Sequence, residues 1–411
     1  MNAVSHLPAA WLDVTRTLTR IGRGAATGID RVEVEYLRAF LDAGCDRYLC
    51  RTTRGYLLLD RVGAERLLEL AEGKRPLGRA DWMSRLTFRG NRPRHQAEAD
   101  LRPLAIDRCR YKALFRMIER NGGAGCTYVN VGHSNLTEGT LSTFGTLGRC
   151  VVMIHDLIPI THPDLVADMQ PQNFAGRIAR VRKHASHVIA NSQATADDLA
   201  EHWADETRIP EVFVAHLGVA EIEAMPTPRD PLHFVMLGTI EPRKNHAMIV
   251  DVWEALAKEY PPESMPRLHI IGRPGWKVGD LMARLEAHPL LGTAIHLHGA
   301  IPDAEMRAHL ASAKALLFPS ITEGYGFPPL EAAMAGAVPV CSDLLVFRET
   351  LGECAVYVNN STAYHWKETL EQLIAGSIAL PDLTKVKRPT WKEHFEIVAK
   401  ALNSQDGRGR S

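Results

Sequence analysis

Two glutamates with an unusual segment between them are the first candidates for chemistry in this sequence. Glu323 and Glu331 flank seven residues, GYGFPPL, that include two glycines and two prolines. Glycines let a backbone approach a ligand closely and turn its amide groups toward it. A carboxylate only accepts hydrogen bonds, which suits a hydroxyl-rich partner such as a sugar or a ribose. The segment therefore predicts a sugar or nucleotide site, although a solvated loop and a helix-terminal carboxylate would give the same pattern.

Two cations occupy a second loop that follows an apolar run. Gly238 and Thr239 come directly after HFVML, and Arg243 and Lys244 stand where the next helix is predicted to start. Adjacent cations beside the backbone amides of a strand-to-helix loop predict a clamp for a diphosphate. A solvated basic loop is the alternative.

A histidine provides a third candidate. His155 and Asp156 follow the apolar run CVVMI. Ligands of open α/β sheets bind outside the carboxyl ends of the strands, and a histidine there can donate or accept a hydrogen bond near neutral pH. The alternatives are a packed histidine and, for Asp156, a turn in which its side chain bonds the local backbone.

The spacing of apolar residues indicates how these loops are held. Short apolar runs such as RLHII and AKALLF are typical of buried parallel strands, and helical patterns lie between them. Alternating strands and helices predict parallel α/β sheets with helices on both faces. The segment with the two glutamates is then loop followed by helix. We expect that helix to start near Pro329 and to hold Glu331 in its first turn.

Length and one proline-rich break divide the chain into domains. A chain of 411 residues is too long for one ordinary core. The stretch AEIEAMPTPRDP, with three prolines, predicts an interdomain linker. We expect a first Rossmann-like domain at 1–222, a second at 223–388, a helix at 389–403 that crosses back to the first domain, and a flexible tail at 404–411.

Composition excludes several classes of protein. With 45% hydrophobic and 23% charged residues the chain is expected to be globular, and Lys plus Arg equals Asp plus Glu at 48 each, which gives no electrostatic case for nucleic acid. Seven scattered cysteines without a CxxC pair favour a reduced, cytoplasmic protein. No signal-peptide pattern and no apolar stretch of about 18 residues occurs, so neither secretion nor a membrane span is expected.

Four stretches together resemble the retaining glycosyltransferases of family 4. They are TGIDRVE, HDLIPI, GTIEPRKNH and EGYGFPPLEAAMAGAVPV. The resemblance runs from about Trp11 to Leu402 and implies the GT-B fold, in which two Rossmann-like, doubly wound α/β domains face a central cleft. The chain looks most similar to bacterial mannosyl- and rhamnosyltransferases that build surface polysaccharides such as lipopolysaccharide.

The resemblance implies a role for each candidate residue. The two catalytic candidates are Glu323, which would contact the donor sugar, and His155, which would contact that sugar near the reacting carbon. Lys244 would bind the diphosphate, and Glu331 would hold the ribose hydroxyls. The other implied donor contacts are Arg243, Gly238, Thr239, Gly272, Ile301 and the backbone of Gly324, Tyr325, Gly326 and Phe327. Three further positions would border the cleft: Gly28 in the first β-loop-α unit, and Asn191 with Ser192 at a strand-to-helix junction.

One position departs from the family pattern. Many members carry an arginine directly after the glycine that ends the first strand of the second domain, and this chain has Thr239 there. Arg243 is expected to supply the second cation instead. Fixed cations and helix-terminal amides would stabilise the departing diphosphate, so neither a metal nor another cofactor is expected. The sequence agrees, because no DxD motif lies in a suitable loop and no ligand set is clustered.

The substrates follow from the resemblance in outline. The leading donor is GDP-mannose, with UDP- and dTDP-sugars open, and the acceptor would be a glycan or a polyprenyl-linked glycan. The stretch 74–120 has 13 Lys or Arg against 5 Asp or Glu and includes Trp82, Phe88, Tyr111 and Phe115. It could rest on the anionic cytoplasmic face of the inner membrane, or be a solvated insertion.

Two other classes of function share this fold. A nicotinamide-dependent dehydrogenase would need a glycine fingerprint followed by an acidic residue, and neither predicted domain has that pairing. A non-catalytic nucleotide-sugar-binding scaffold would need the fold alone. The presence of Glu323, Glu331, Lys244 and His155 together argues against the scaffold.

Overall fold

The structure, a computed structural model, describes residues 10–24, 26–79, 92–222, 228–359 and 362–403. Trp82, Phe88, the middle of the expected linker and the expected tail at 404–411 lie outside the described residues. The described residues form two β-sheets with helices packed around them.

The first sheet has eight strands within the described residues. They are β1 (Ala10–Asp13), β2 (Tyr48–Arg51), β3 (Tyr56–Leu59), β4 (Ala105–Cys109), β5 (Thr127–Asn130), β6 (Arg149–Ile154), β7 (His187–Ala190) and β8 (Glu211–Val214). Their order is β4-β3-β2-β1-β5-β6-β7-β8. The expectation of a wholly parallel sheet is wrong at one edge, because β2 pairs with β3 and β3 with β4 in antiparallel fashion. The short turn between β2 and β3 makes a hairpin, and only a longer crossover can join parallel neighbours.

The second sheet is parallel throughout the part of the chain that is described. Its strands are β9 (Asp230–Leu237), β10 (Arg267–Ile271), β11 (Ile295–Gly299), β12 (Ala313–Phe318), β13 (Val338–Ser342) and β14 (Val356–Val358). The order β11-β10-β9-β12-β13-β14 is the doubly wound order of a Rossmann sheet. The strand order reverses between β9 and β12, and ligands of such sheets bind outside the carboxyl ends of the strands at that point.

Sixteen described helices of four residues or more connect and cover the strands. Around the first sheet they are α1 (Thr15–Arg20), α2 (Gly28–Asp42), α3 (Arg61–Ala71), α4 (Arg92–Leu101), α5 (Leu114–Arg120), α6 (Glu138–Leu147), α7 (Ile158–Thr161), α8 (Gln170–His184) and α9 (Gln193–His202). Around the second sheet they are α10 (His246–Leu256), α11 (Gly279–Glu286), α12 (Asp303–Ser312), α13 (Phe327–Ala335), α14 (Leu345–Leu351) and α15 (Ala363–Ala375), and α16 (Trp391–Asn403) follows them. None of the described helices is both long and apolar enough to cross a membrane.

The last helix, α16, returns to the first part of the chain, as expected. Its amphipathic pattern places His394, Phe395 and Leu402 in the core. The His394 ring lies 2.7 Å from the Tyr36 hydroxyl through Nε2 and 3.0 Å from the His216 carbonyl through Nδ1. Contacts on both ring nitrogens fix this helix against α2 and the segment after β8.

Two predicted boundaries differ from the structure. The helix that carries Glu331 begins at Phe327, two residues before Pro329, so both prolines lie in its first turn and Glu331 lies beyond that turn. Proline fits the first turn because its missing amide hydrogen would have no partner there. The first strand of the second sheet begins at Asp230, three residues before the apolar run HFVML that indicates this strand in the sequence.

Candidate active site

The two loops with the predicted donor-binding residues meet at the point where the strand order of the second sheet reverses. The loop after β9 holds Arg243 and Lys244, and the loop after β12 holds Glu323. Because β9 and β12 are neighbours, the two loops lie side by side, and the backbone amide of Ile321 donates to the Arg243 carbonyl at 2.8 Å. This backbone bond ties the candidate sugar-binding loop to the candidate diphosphate-binding loop.

Glu323 lies at the centre of a buried charge cluster. One carboxylate oxygen contacts the Lys244 ammonium, and the other is 2.6 Å from Nη1 of Arg243. Ser320 donates its hydroxyl to Glu323 at 2.9 Å, and Arg243 also pairs with Glu241. The side chains of Lys244 and Glu323 are less than a tenth exposed. The structure thus brings together both predicted cations and the first glutamate.

The ionisation of the cluster follows from burial and pairing. Burial alone would raise the pKa of Glu323, but the attraction of Arg243 and Lys244 outweighs it and lowers that pKa to about 2. For Lys244 burial is the larger effect and lowers the pKa to about 8, although Glu323 opposes it. Glu323 is therefore an ionised acceptor of hydrogen bonds at neutral pH, and Lys244 is a cation that can lose its charge in mild alkali.

Gly324 places the glutamate loop directly against the first domain. A Cβ atom at Gly324 would lie 2.1 Å from the His155 carbonyl oxygen, closer than any side chain can approach. The Ser192 hydroxyl donates to the Gly324 carbonyl at 2.9 Å, and Asn191 donates its amide to the His155 carbonyl at 2.9 Å. The predicted cleft residues Asn191 and Ser192 are thus brought to the glutamate loop.

His155 meets this loop through its backbone, whereas its ring turns into the first domain. Nε2 lies 2.7 Å from the Val131 carbonyl, and because a carbonyl only accepts, Nε2 carries the proton. The ring also packs edge-on against His133, with the ring centroids 4.9 Å apart. Burial lowers the pKa of His155 to about 4, so the ring is neutral at pH 7.

The three residues after Gly324 hold the loop by their side chains or their conformation. Tyr325 donates its hydroxyl to the Leu217 carbonyl at 2.6 Å, a bond from the second domain to the segment after β8. Gly326 adopts φ 95°, in the left-handed region that glycine favours, and a Cβ there would meet the Phe347 ring at 2.6 Å. The Arg31 guanidinium lies over the Phe327 ring, with its Cζ atom 5.0 Å from the centroid of that ring.

Glu331 is paired with a cation of the first domain. Nη2 of Arg31 lies 2.6 Å from Oε1 of Glu331, whose side chain is 6% exposed. Gly28 is the first residue of α2, the helix that carries Arg31. A Cβ at Gly28 would lie 3.4 Å from the Phe327 ring, an ordinary contact distance. The second glutamate and the predicted Gly28 loop therefore meet, with Arg31 between them.

The remaining predicted donor contacts line the carboxyl ends of β9 to β11. The amide of Gly272 donates to the Gly299 carbonyl at 2.8 Å, and a Cβ at Gly272 would lie 1.8 Å from the Gly238 carbonyl oxygen. A Cβ at Gly275 would lie 2.9 Å from the Thr239 methyl group. Ile301 is half-buried in the loop between β11 and α12. Gly238, Thr239, Gly272 and Gly275 thus form one continuous edge, and Ile301 packs against the apolar core.

Sequence reasoning missed two residues at this interface. Arg31 lies inside the quoted TGIDRVE stretch, three residues after Gly28, but the resemblance gave it no role. Glu349 on α14 accepts hydrogen bonds from the amides of Gln193 and Ala194 at 2.6 and 3.3 Å, and its carboxylate contacts His216 at 2.6 Å. It therefore caps α9 from the other domain. Nothing in the sequence around an acidic residue on a short helix indicates that it will cap a helix of the other domain.

Comparison with known proteins finds similar sequences. Residues 231–376, the second sheet and its helices, match the family described as Glycosyl transferases group 1. The chain is 29% identical over 275 residues to the serotype-specific mannosyltransferase WbdA of Escherichia coli, a match that covers 61% of this chain and 33% of WbdA. It is 25% identical over 250 residues to the O-antigen chain mannosyltransferase RfbU of Salmonella typhimurium, covering 60% of this chain and 66% of RfbU. The chain thus spans about a third of the length of WbdA.

A solved structure shows the fold over nearly the whole chain. The structure of HepE from Anabaena, determined in complex with UDP and glucose, superposes with a TM-score of 0.56 at 15% identity and covers 95% of this chain and 94% of HepE. The likeness confirms the expected fold class. This chain has the two-domain GT-B fold, its residues 231–376 match the glycosyl transferases group 1 family, and the chain is similar to O-antigen mannosyltransferases.

Proposed function

We propose that the chain transfers a sugar from a nucleotide sugar to a hydroxyl group of a glycan or lipid-linked glycan, with retention of configuration. The observation that carries the proposal is the buried cluster of Glu323, Arg243 and Lys244 at the switch point of the second sheet. The first domain closes over it through Gly324. An ionised acceptor beside two cations suits a ligand with sugar hydroxyls at one end and phosphates at the other.

The proposed reaction proceeds on one face of the sugar. The bond from the anomeric carbon to the phosphate oxygen breaks, the acceptor oxygen bonds to that carbon from the same side, and the acceptor proton passes to the departing phosphate. Lys244 and Arg243 would stabilise the charge that develops on the diphosphate, so this step needs no metal ion. The Lys244 ammonium has three N–H groups and its Glu323 contact uses one, which leaves donors for a phosphate.

Glu323 has the role of positioning and electrostatic stabilisation in this scheme. Its two oxygens are already engaged by Lys244 and Arg243, and a carboxylate with a pKa of about 2 is a weak base. It would accept hydrogen bonds from the donor sugar. Glu331, which Arg31 holds at the cleft, would accept from the ribose hydroxyls.

The donor is proposed to be GDP-mannose. WbdA and RfbU are named mannosyltransferases, which supports mannose as the transferred sugar. HepE was crystallised with UDP and glucose, so UDP-sugars remain the alternative, together with dTDP-sugars.

A donor panel tests this proposal. The purified chain would be incubated with GDP-mannose, UDP-glucose and dTDP-rhamnose, and the released nucleoside diphosphate would be measured with and without EDTA. We expect GDP-mannose to be cleaved fastest and EDTA to leave the rate unchanged. With a synthetic glycan acceptor added, NMR of the glycoside product is expected to show a retained anomeric configuration. Cleavage of none of the donors contradicts the proposed activity, and an inverted product contradicts the proposed stereochemistry.

We also propose that the described part of the basic stretch 74–120 contacts an anionic membrane surface. Exposed cations at Arg108, Lys112 and Arg116 lie beside Phe115, which is 40% exposed, and Ile106, which is 44% exposed. Basic side chains attract anionic lipid, and exposed apolar side chains enter the interface. Co-sedimentation with vesicles that contain phosphatidylglycerol, and not with neutral vesicles, is the expected result, and equal binding to both would contradict it.

A further inference from the structure

Five histidines lie together on one face of the second sheet. His233 is on β9, His269 on β10, His296 and His298 on β11, and His309 on α12, which packs against β9. His269 is paired with His296 in the parallel register, and their rings stack with centroids 4.7 Å apart. Packing alone does not explain five histidines at these positions, because apolar side chains normally fill the space between a sheet and its helix.

The expectation that no metal-ligand set is clustered is wrong, because two subsets of these side chains, drawn from four separate elements, each bring three possible ligand atoms together. In the first, single ligand atoms of His233, His269 and His309 all lie within 4.8 Å of one another. In the second, His298 and Glu305 lie equally close to His309. No member of either subset belongs to the Glu323 cluster.

Ser312 and His309 contact the two ring nitrogens of His233. The Ser312 hydroxyl lies 3.0 Å from the Ala308 carbonyl, 3.2 Å from the His309 carbonyl and 3.1 Å from Nδ1 of His233. In the tautomer whose Nδ1–H donates to the serine oxygen, Nε2 of His233 is unprotonated. Nε2 faces Nδ1 of His309 at 3.5 Å.

That separation suits a shared metal ion. Two nitrogens on one tetrahedral zinc, each bonded at about 2.0–2.1 Å, lie roughly 3.3 Å apart. A hydrogen bond from His309 would instead be at the outer limit of length. A ring nitrogen of the buried His233 thus faces a second imidazole at a spacing close to that of two ligands on one metal ion.

We propose that His233, His269 and His309 bind a divalent transition-metal ion, with Zn²⁺ as the preferred ion. Neutral imidazoles suit zinc, copper and nickel, whereas calcium and magnesium require oxygen ligands. The fourth position of a tetrahedral ion would be filled by water.

The protonation state of the cluster is compatible with metal binding. Burial, with the neighbouring imidazoles, lowers the pKa of His233 to about 4 and that of His269 to about 3. Burial also lowers the pKa of His298 and that of His309. At neutral pH these rings are uncharged, so a metal does not have to displace protons from them.

The ion would have a structural role that is independent of the proposed transferase reaction. It would join α12 to β9 and β10. A metal that binds the folded chain and not the unfolded chain raises thermal stability.

Zinc binding is tested on the full chain without a polyhistidine tag. After dialysis against a chelator and its removal, ZnCl₂ is added, and bound zinc per chain is measured by mass spectrometry of the metal together with the unfolding temperature. We expect one tightly bound zinc per chain and a higher unfolding temperature. Binding of less than one zinc per chain at micromolar free zinc would overturn the proposal.

Matched variants identify the ligands. His309→Gln and His233→Gln should lose the bound zinc, whereas His296→Gln should keep it, because His296 lies on the same face but in neither subset. Loss of zinc in the double variant His298→Gln with Glu305→Gln, with retention in His233→Gln, would overturn the assigned ligand set.

Cobalt binding to the unaltered chain does not depend on how variants fold. Intense visible bands of four-coordinate Co²⁺ are expected, and the weak spectrum of a six-coordinate ion would also overturn the proposal.

Discussion

Arg31 on α2 and Glu331 on α13 form an ion pair at 2.6 Å across the two domains, although they are 300 positions apart in the chain. The Glu331 carboxylate is almost fully buried, whereas Arg31 is 39% exposed. The same guanidinium covers the Phe327 ring. Arg31 therefore neutralises the carboxylate that we propose for the ribose and also shields the first turn of the helix that carries it.

Arg31→Ala should weaken donor binding more than it slows the chemical step. Without its cation the buried carboxylate is unpaired and no longer held at the cleft. We expect KM for the nucleotide sugar to rise about tenfold, equal to about 1.4 kcal/mol, with a smaller change in kcat. Steady-state kinetics measure both constants.

Arg38→Ala is the matched control for this change. Arg38 lies on the same helix and pairs with Glu35 and Glu72 inside the first domain. We expect the KM of Arg38→Ala for the nucleotide sugar to match that of the unaltered chain. An equal rise in KM for both variants would show that the effect comes from α2 in general and not from the pair with Glu331.

The centre of the site could be predicted from the sequence because it depends on local order along the chain. Glu323 and Lys244 each follow an apolar run, and the carboxyl ends of parallel strands lie at the same edge of a sheet. Their meeting then follows from the doubly wound order, which places β9 beside β12. The glycines between the glutamates likewise predicted a close approach of the backbone to another group. In the structure Gly324 makes such an approach to the His155 carbonyl.

The partners across the domain interface could not be predicted in the same way. Arg31 and Glu349 act through the relative placement of two domains, and no periodicity within either domain encodes that placement. The His155 ring is a second example. A position after a strand fixes where the backbone lies, but the side-chain direction depends on the Val131 carbonyl, 24 positions away. The antiparallel edge at β3 and β4 was missed because short apolar strands have no local mark of direction.

Glu323→Gln should abolish most activity and also destabilise the fold. Glutamine keeps the shape but cannot neutralise the buried Lys244 and Arg243, and breaking such a buried pair costs about 3 kcal/mol. We expect kcat/KM to fall about 100-fold, equal to about 2.7 kcal/mol of transition-state stabilisation. Denaturant unfolding and steady-state kinetics measure the two effects.

Glu241→Gln separates these two effects. Glu241 pairs with Arg243 in the same cluster, but we assign it no contact with the donor. We expect reduced stability with kcat/KM within about tenfold of the unaltered chain, equal to about 1.4 kcal/mol. Full kcat/KM in Glu323→Gln would disprove the role that we assign to Glu323.

Gly324→Ala should push the glutamate loop away from the first domain. The added methyl would lie 2.1 Å from the His155 carbonyl oxygen, which is backbone and cannot simply turn aside. We expect kcat/KM to fall at least 100-fold and the unfolding temperature to drop. Gly279→Ala, at the start of α11 with no atom near the added methyl, serves as the control and should retain activity. Near-normal kinetics in Gly324→Ala would mean that the contact with His155 is not required.

Activity should fall as pH rises through about 8, because Lys244 then loses the charge that we propose for the diphosphate. The ordinary pKa of lysine is near 10.5, so between pH 8 and 10.5 the unfolded chain binds more protons at this residue than the folded chain does. Deprotonation of Lys244 removes the cost of burying its charge and raises the free energy of unfolding as pH rises in that window, so its titration cannot cause unfolding there. A decline in kcat/KM above pH 8 without a matching loss of unfolding free energy is the expected result. In Lys244→Arg, whose side chain stays charged, the decline should move to higher pH, and an unchanged pH profile in that variant would contradict the assignment.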